Sequence, residues 1–364
     1  MSEAVACDVL VVGLGPAGAS AAERAAREGA RVIAIDRRAK AGHPVQCAEF
    51  VPHMIGMEVD LLRQVMRQQT GVTRTFIDHG DVLETPDING VMIDRAEFDA
   101  ALVKSAEAAG AQCRFSTALR SLAADGSARL SNGQSVQATV VIGADGPHST
   151  VGKAAGAVND EIAETRQIQV ALLRPYTATD IFLSASMPGG YAWLFPKHGV
   201  ANLGLGVAPA WRLRLKPLLQ AMHLRLVEEG RVGEEVLGTT GGSIPVGGMR
   251  RLVARLGETD ILLAGDAAGL NNPVTGAGIA AAVMSGRLAG KAAATRTKGS
   301  QAAIAEFADE VQSLFGASLA RALNRRRCLM AIHESGAQPD VADFQANWVA
   351  FPDYWARRDI KGNP

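Results

Sequence analysis

The chain is poor in the residues that build metal centres and disulfide frameworks. Its 364 residues include four cysteines and seven histidines, and these form neither a CxxC pair nor an HExxH motif. Such a dispersed pattern argues against a zinc ribbon, a four-cysteine iron–sulfur cluster and a disulfide scaffold. We therefore expect a protein that works without a metal.

The chain also has no excess of positive or negative charge and no long apolar run. Lys plus Arg and Asp plus Glu each number 37, so no overall field attracts nucleic acid. No stretch reaches the roughly 18 uninterrupted apolar residues of a membrane-spanning helix, and the N-terminus has neither the basic nor the apolar region of a secretory signal. We expect a cytoplasmic protein that does not bind nucleic acid and has no transmembrane segment, with peripheral membrane contact left open.

A dinucleotide-binding pattern begins at the N-terminus. The apolar run "CDVLVVG" leads into Gly13-Leu14-Gly15-Pro16-Ala17-Gly18, an alanine-rich helical stretch follows, and the strand "RVIAID" ends in an acid. Strand, GxGxxG turn, helix, strand and acid together predict a pyrophosphate bound at a helix N-terminus and a ribose bound by the acid. The candidate cofactor residues here are Gly13, Gly15, Pro16, Ala17, Gly18, Asp36 and Arg37.

A second glycine-rich stretch, "LLAGDAAGLNNPVTGAG", begins at Leu262. It reads as a buried strand, a loop and then a helix rich in small residues. An NAD enzyme has no evident need for this element, whereas the extended FAD has a flavin end far from its adenine end. The acid suits ribityl hydroxyls, and a helix N-terminus stabilises negative charge on a reduced flavin. The pair of stretches predicts FAD, with candidate residues Gly265, Asp266, Pro273, Gly276, Ala277, Gly278 and Ile279.

Four blocks resemble FAD-dependent oxidoreductases of the glutathione-reductase-type fold, in the branch with aromatic hydroxylases. They are "GLGPAGASAAERAAREGARVIAID", "VMIDRAEFDAALVKSAEAAGA", "VVIGADGPHSTVGKAAG" and "LLAGDAAGLNNPVTGAGIAAAVMSG". The resemblance implies that Arg95, which opens a helix capped by Asp94, lies near the cofactor. It also implies that Asp145 and Gly146 contact FAD. Gly152 stands where the hydroxylases commonly carry a basic residue.

Two further segments are similar to the geranylgeranyl reductase family, which carries P-x-x-C and Y-x-W-x-F-P motifs. Here these are Pro44 with Cys47, and Tyr191 through Pro196. The resemblance places Cys47 beside the flavin ring, where it could shape substrate access or donate a proton. A buried structural cysteine is the alternative, and Cys47 is followed by Ala-Glu-Phe where the family usually has glycines. Histidines in or beside these loops, assigned no role, are His43, His53 and His148.

The segment "YAWLFPKHGVANLGLGV" predicts a hairpin about the turn "PKHG". Tyr191, Trp193 and Phe195 then share one face by the period of two. Such a face is either core or the wall of a slot for an apolar or aromatic substrate, and it can be both. These three residues are the candidate substrate-binding set.

The predicted fold class is α/β. A discontinuous Rossmann-type FAD-binding domain comprises residues 1–75, 95–158 and 250–300, and a mostly antiparallel substrate-binding sheet comprises 76–94 and 159–249. Residues 301–364 form a C-terminal helical segment and an aromatic tail that docks on the body or on a partner. The basic run at 325–327 is expected to be a solvated helix face, with a membrane-surface or partner contact as the alternative.

The predicted function is an FAD-dependent oxidoreductase that reduces carbon–carbon double bonds of an apolar, isoprenoid-type substrate by hydride transfer from reduced flavin. The leading alternative is a flavin-dependent monooxygenase that hydroxylates an aromatic ring, including a tryptophan in another protein during quinone-cofactor maturation. A quinone-linked dehydrogenase and a non-enzymatic FAD-binding protein are further alternatives. Because a second GxGxxG unit is lacking, electrons would come from transiently bound NADPH or from a ferredoxin-like redox partner.

Overall fold

Two eight-stranded sheets form the framework of the molecule. A computed structural model describes residues 5–52, 63–78, 80 and 82–356. The first sheet runs in the order β15-β16-β9-β1-β2-β6, with β7 and β8 attached beside β9. Its strands are β1 (Val5–Val12), β2 (Val32–Ile35), β6 (Gln112–Arg114), β7 (Leu119–Leu122), β8 (Ala128–Leu130), β9 (Ser135–Gly143), β15 (Val253–Leu256) and β16 (Thr259–Leu263).

The centre of this first sheet is parallel. Strands β1, β2, β9, β16 and β6 pair in parallel, whereas β15 pairs antiparallel with β16. Continuous apolar runs such as Val9–Val12 suit strands that are covered on both faces, and these four side chains are buried. Since the carboxyl ends of parallel strands meet at one edge, the turns after β1, β9 and β16 come together there.

The second sheet is mostly antiparallel and runs in the order β14-β10-β13-β12-β11-β4-β5-β3. Its strands are β3 (Phe50–Pro52), β4 (Met66–Ile77), β5 (Val82–Ile93), β10 (Ile162–Leu172), β11 (Ala178–Leu183), β12 (Ala192–Lys197), β13 (Val200–Val207) and β14 (Val232–Pro245). The predicted hairpin is confirmed, since β12 and β13 pair antiparallel from Ala192–Leu205 to Lys197–Val200.

One domain boundary differs from the sequence-based expectation. Residues 50–75 were assigned to the FAD-binding domain, yet β3 and β4 belong to the second sheet. Strand β4 pairs antiparallel with β5 and parallel with β11 over Val72–Ile77. These long-range pairings decide its place, and local sequence patterns do not reveal them.

Helices cover the first sheet, one helix packs on the second sheet, and further helices follow at the C-terminus. In the described residues they are α1 (Pro16–Arg27), α2 (Arg95–Ala108), α3 (Thr150–Ala154), α4 (Leu215–Glu228), α5 (Ile279–Thr297), α6 (Ala302–Glu334), α7 (Val341–Asn347) and α8 (Pro352–Trp355), with 3₁₀ turns at Pro209–Arg214 and Gly265–Ala268. The mixed α/β architecture with C-terminal helices agrees with the predicted fold class. Among the residues listed above as described, no helix is both long and apolar enough to cross a membrane.

Glycines allow α1 and α5 to pack closely at the edge where the turns meet. A Cβ atom at Gly286 would lie 2.9 Å from the carbonyl carbon of Ala17, and one at Gly290 would lie 3.1 Å from that of Ala21. Carbon atoms in contact are normally about 3.5–4.0 Å apart. The small-residue character of both helices is therefore a packing requirement that fixes the helix N-termini relative to each other.

Candidate active site

The first glycine turn has the geometry that a pyrophosphate site requires. Gly13 has φ +97°, and a Cβ there would lie 2.7 Å from the carbonyl carbon of Ala144. A Cβ at Gly18 would clash with the Gly13 carbonyl, so helix and strand could not pack. In contrast, a Cβ at Gly15 would meet only an Arg38 nitrogen at 3.9 Å. The turn is thus crowded inside and open at Gly15.

Helix α1 begins without a side-chain cap. Gly15 is its N-cap, Pro16 occupies the first turn, and the first turn contains no acidic residue. Ala17 is buried. Unsatisfied N–H groups at a helix start together with the helix dipole favour an anion. The start of α1 is therefore suited to bind phosphate.

The acid at the end of β2 is held by protein groups of its own. One Asp36 carboxylate oxygen accepts from Leu14 N at 2.8 Å. Arg38 donates to both oxygens, from Nε at 3.0 Å and from the terminal nitrogen at 2.8 Å. Burial disfavours the charge, but these donors outweigh it and the pKa of Asp36 lies below its usual range. Arg37, the residue named from sequence, is exposed, and its neighbour Arg38 makes the ion pair.

The loop that follows β9 lies against the glycine turn after β1. A Cβ at Gly13 would lie 2.9 Å from Asp145 Cα. The Asp145 carboxylate accepts from Ser149 Oγ and from Thr150 N at 2.7 Å, so it stabilises the start of α3. Gly146 has φ +83° with open space around it. The Asp145 carboxylate is therefore occupied by protein donors, and the loop leaves its backbone at Gly146 open beside the glycine turn.

The downstream stretch contacts the first turn directly. Gly265 has φ +59°, and a Cβ there would lie 2.9 Å from Ala17 Cβ. Asp266 follows, and its carboxylate has one protein partner among the described hydrogen bonds, Asn271 Nδ2 at 3.4 Å. Burial raises the pKa of Asp266 although Arg95 acts against that shift. A carboxylate this weakly partnered is suited to accept from ligand hydroxyls.

The loop before α5 is held by its own backbone and by Asn272. Asn272 Oδ1 accepts from the backbone N–H of Val274 and Thr275, both at 3.0 Å. The N-cap of α5 is Gly278, without a side-chain cap, and its carbonyl accepts the first helical bond from Ala282 at 2.8 Å. The N–H groups of the first turn of α5 therefore lack a side-chain partner. The predicted loop residues in this segment are Pro273, Gly276, Ala277, Gly278 and Ile279.

A row of alternating charges connects Asp36 with Asp266. Arg38 lies 4.0 Å from Asp99, and Arg95 Nε donates to Asp99 at 2.7 Å. Burial alone would lower the pKa of Arg95, but Asp99 and Cys47 raise it above its usual value. The series Asp36, Arg38, Asp99, Arg95 and Asp266 thus extends along the site. Sequence reasoning proposed Arg95 but missed Arg38 and Asp99. The i, i+4 spacing of Arg95 and Asp99 on one helix could have indicated Asp99.

The Cys47 segment is tied to the second sheet. Thr240 Oγ1 donates to the Val45 carbonyl at 2.6 Å. Gln167 Nε2 donates to the Cys47 carbonyl at 3.2 Å, and Gln167 Oε1 accepts from Trp193 Nε1 at 2.9 Å. Gln167 therefore links the candidate catalytic residue to the candidate aromatic wall. No sequence pattern pointed to it.

Glu49 is a second residue that sequence reasoning missed. It is 4% exposed and has φ +67°, a region that non-glycine residues occupy at a cost of about 1–3 kcal/mol. Its carboxylate accepts from Lys197 Nζ at 2.8 Å, from Asn202 Nδ2 at 3.0 Å and from Arg95 N at 3.0 Å. The strained residue thus joins the Cys47 segment, β12, β13 and α2 beside the charged row.

The aromatic face of β12 is covered by the C-terminal segment. Tyr191 and Trp348 have ring centroids 4.8 Å apart. Trp193 and Phe195 are 7% and 5% exposed, and they share a buried cluster with Phe344, Trp348 and Phe351. Tyr191 also donates to the Thr275 carbonyl at 2.6 Å. The face is core, and through Tyr191 it adjoins the loop before α5.

Two of the three arginines at 325–327 do not form a solvated face. Arg325 and Arg326 are buried, and only Arg327 is exposed. Arg325 donates to the Tyr354 and Ala356 carbonyls at 2.8 and 2.9 Å. Carbonyl groups of the docked tail thus satisfy a cation that a helix pattern alone assigns to solvent. The predicted solvated face was wrong for Arg325 and Arg326.

Arg326 connects α6 to the site. It donates to the Gly189 carbonyl at 2.5 Å and to the Pro273 carbonyl at 3.3 Å. Burial lowers its pKa to about 10.

The histidines assigned no role include His53, which lies outside the described residues, as do residues 357–364 of the tail.

Comparison with known proteins identifies the family. Residues 6–190 match the family described as FAD binding domain, and residues 165–236 match the geranylgeranyl reductase catalytic domain. The digeranylgeranylglycerophospholipid reductase of Methanothrix thermoacetophila is 35% identical over 322 residues, which cover 79% of this chain and 78% of that protein. The chain belongs to the geranylgeranyl reductase family. It is an FAD-dependent oxidoreductase, as the sequence predicted.

A second relative agrees with this assignment, and two solved structures share the fold. The digeranylgeranylglycerophospholipid reductase 1 of Methanopyrus kandleri is 36% identical over 79% of this chain and 80% of that protein. The crystal structure of a geranylgeranyl bacteriochlorophyll reductase-like protein from Thermoplasma acidophilum has a TM-score of 0.81 at 24% identity, covering 97% and 98% of the two chains. The flavin-dependent brominase Bmp2 has a TM-score of 0.65 at 15% identity, covering 95% and 91%. The fold alone therefore does not select the reaction.

The residues present fit FAD. The turn at Gly15 is open, the starts of α1 and α5 lack side-chain caps, and the Asp266 carboxylate has a single weak partner. In addition, the side-chain oxygen of Asn271 beside Asp266 is buried without a hydrogen-bond partner. Uncapped helix starts suit the pyrophosphate and the flavin pyrimidine edge, and spare acceptors suit the ribityl hydroxyls.

Proposed function

We propose that this chain reduces carbon–carbon double bonds in an apolar, isoprenoid-type substrate. The observation that carries the proposal is the sustained similarity, at 35–36% identity over 79% of the chain, to two archaeal proteins named digeranylgeranylglycerophospholipid reductases. The match to the reductase catalytic domain over 165–236 adds support, because that range contains Gln167, Trp193 and Asn202. When bound and reduced, FAD supplies the hydride that adds to one carbon of the double bond.

The proposed cofactor site uses the two glycine stretches together. The start of α1 would bind the pyrophosphate, and Asp266 would accept from the ribityl hydroxyls. The start of α5 would stabilise negative charge at the pyrimidine edge. Asp36 already accepts from Leu14 N and Arg38. It would therefore bind the adenosine ribose together with Arg38 rather than alone.

Cys47 is the proposed source of the proton that the second carbon of the double bond receives. Its sulfur accepts from the backbone N–H of Glu49 at 3.2 Å, and the Glu49 carboxylate in turn accepts from Arg95 N. These contacts hold the thiol beside the charged row, where a proton donor is needed. Gln167 and Glu49 would be positioning residues, because they hold the backbone of this segment against the second sheet.

Tyr191, immediately before β12, is proposed to line the dry wall of the substrate slot, with Trp193 and Phe195 packed behind it as core. Tyr191 reaches the loop before α5, whereas Trp193 and Phe195 are covered by Phe344 and Trp348. A wall without exposed polar groups suits an isoprenoid chain and excludes water from the reacting atoms. We further propose that the protein is cytoplasmic. Its electrons would come from NADPH or from a ferredoxin-like protein.

An anaerobic product assay tests the function. Protein kept reduced by excess dithionite is incubated with geranylgeranyl-bearing glycerophospholipid, and the lipid is analysed by mass spectrometry. The expected result is a gain of two hydrogen atoms for each double bond reduced. An unchanged lipid, together with an aromatic compound hydroxylated when air is admitted, would replace the reductase with the monooxygenase alternative.

A matched pair of cysteine variants tests the role of Cys47. C47S is expected to lower the turnover number about a hundredfold with little change in KM, since general acid catalysis typically contributes 10²–10⁴-fold. Cys328 is exposed on α6, so C328S serves as the control and should behave as wild type. Equal activity of C47S and wild type would exclude Cys47 as the proton donor.

A further inference from the structure

An exposed apolar stripe lies on the outer side of the second sheet. The 3₁₀ turn Pro209–Arg214 leads directly into α4. Leu213 is 86% exposed and Leu224 is 55% exposed, and Pro217 and Ala221 between them are exposed as well. Spacings of four and three residues place Pro217, Ala221 and Leu224 on one face of α4, and Leu213 lies in the 3₁₀ turn immediately before that helix. We call Leu213, Pro217, Ala221 and Leu224 the apolar stripe.

The opposite side of α4 fixes the direction in which this stripe points. Leu219, Met222 and Leu226 are buried in the cluster that includes Ile168, Leu203 and other side chains of the second sheet. The helix is therefore anchored by one face and leaves the other face without a protein partner in the described residues. Single exposed leucines are common on protein surfaces, but a continuous stripe on an anchored helix is not explained by that.

The charges around the Leu213 end of the stripe have one sign, whereas Glu228 and Glu229 follow Leu224 at the other end. Arg212, Arg214 and Lys216 are exposed beside Leu213, and the sequence contains no Asp or Glu from 208 to 227. The chain as a whole is neutral, with 37 charges of each sign, so this local excess is not a consequence of overall composition. Lys and Arg flanking exposed leucines on an interfacial helix are the pattern that binds anionic lipid surfaces.

We propose that the apolar stripe and its three flanking cations dock this protein on a membrane that contains anionic lipids. The leucines would enter the boundary between headgroups and acyl chains, and the cations would contact lipid phosphates. This surface replaces the basic run at 325–327 as the membrane-contact candidate, because Arg325 and Arg326 are buried. The inference goes beyond the proposed reaction and stands on exposure and charge alone.

Vesicle co-sedimentation tests the proposal with the full-length FAD-loaded protein. Wild type is expected to sediment with vesicles made of equal parts phosphatidylglycerol and phosphatidylcholine, and to remain in solution with phosphatidylcholine alone. Binding should weaken as salt screens the cations. L213S should bind about tenfold more weakly, because a buried leucine contributes at least that factor. R212Q/R214Q should bind roughly thirtyfold more weakly.

The control is another exposed leucine without neighbouring cations. Leu314 on α6 is 48% exposed and follows Asp309 and Glu310, so L314S should bind as wild type. Thermal unfolding checks that each variant is folded. Failure of wild type to bind the anionic vesicles, or equal binding by L213S and L314S, would overturn the proposal. A shift by L213S in oligomeric state, with vesicle binding unchanged, would identify a protein interface instead and also overturn it.

Activity on a detergent-dispersed isoprenoid substrate separates this inference from the proposed function. If the docking surface is as proposed, L213S keeps wild-type turnover on the dispersed substrate and loses it only on vesicle-borne lipid. If the proposed reaction is wrong, wild type shows no turnover on either form, while vesicle binding is unaffected.

Discussion

The contact between α1 and α5 offers a sharp test of how the two glycine stretches are brought together. In G286A, the new Cβ would lie 3.0 Å from Ala17 Cα, 2.9 Å from its carbonyl carbon and closer still to its oxygen. Because carbon atoms normally pack at about 3.5–4.0 Å, the helices must separate by roughly 1 Å. Ala17 lies in the first turn of α1, where the pyrophosphate is expected, so the displacement acts directly on the cofactor site.

The magnitude follows from two opposing effects. Overpacking typically costs about 1–3 kcal/mol, whereas replacing a helical glycine by alanine gains about 1 kcal/mol. Since the clash is with backbone atoms that cannot rotate away, we take the upper end and expect a net destabilisation of about 2 kcal/mol. FAD binding should weaken roughly tenfold, as for the loss of one hydrogen bond to a charged group.

Gly316 on α6 supplies the matched control. It is also a buried helical glycine, but a Cβ there would meet only the side-chain amide of Gln312, which can move. G316A should therefore be neutral or more stable by up to about 1 kcal/mol. Urea unfolding and the flavin retained after gel filtration are measured for both variants. If G286A is as stable as G316A and retains as much FAD, the packing account is wrong.

Three further substitutions test separate parts of the site. Because burial raises the pKa of Asp266, the folded protein loses stability as the pH rises above the pKa of an unfolded Asp, about 4, and the loss is complete above the raised folded pKa. FAD-free D266N should therefore unfold at a higher temperature than wild type at pH 7 but not below about pH 4, where the acid is protonated in both folded and unfolded chains. Fluorescence titration should show that D266N binds FAD roughly tenfold more weakly than wild type. Unchanged affinity would remove Asp266 from the cofactor site. E49Q leaves the partly buried Lys197 with Asp94 at 3.9 Å as its remaining carboxylate partner and should cost about 2 kcal/mol in urea unfolding; failure of E49Q/K197M to recover most of that loss would show that the ion pair is not the cause. Q167L leaves the Trp193 indole N–H unpaired and should lower turnover about tenfold at similar KM, whereas a change in KM alone would indicate a role in substrate binding.

Much of the fold could be predicted because its signals are local. The turn between β1 and α1 is defined by Gly13, with its positive φ, and by Gly18, whose close contact with Gly13 tolerates no side chain, and such positions are visible in sequence. The hairpin of β12 and β13 likewise follows from alternation and a turn. Strand β4 could not be placed, because its membership of the second sheet depends on pairing with β11 about a hundred residues away.

The site was predictable to the extent that ligand contacts come from backbone turns. Glycine stretches and the acids at strand ends have fixed spacing, so Asp36 and Asp266 could be proposed from the sequence. The residues that were missed, Arg38, Glu49 and Gln167, act through partners distant in sequence or through an unusual backbone angle. A glutamate in a loop and a glutamine in a strand carry no local signal of such partners.

The most direct test of the central claim is an anaerobic single-turnover measurement. Reduced FAD-loaded protein is mixed rapidly with geranylgeranyl-bearing lipid, and the absorbance of the bound flavin is followed. We predict reoxidation whose rate saturates with lipid concentration and matches the appearance of reduced lipid. The fully saturated lipid should cause no reoxidation. Flavin that stays reduced with the unsaturated lipid, or that is reoxidised equally by the saturated one, would contradict a reductase of isoprenoid double bonds.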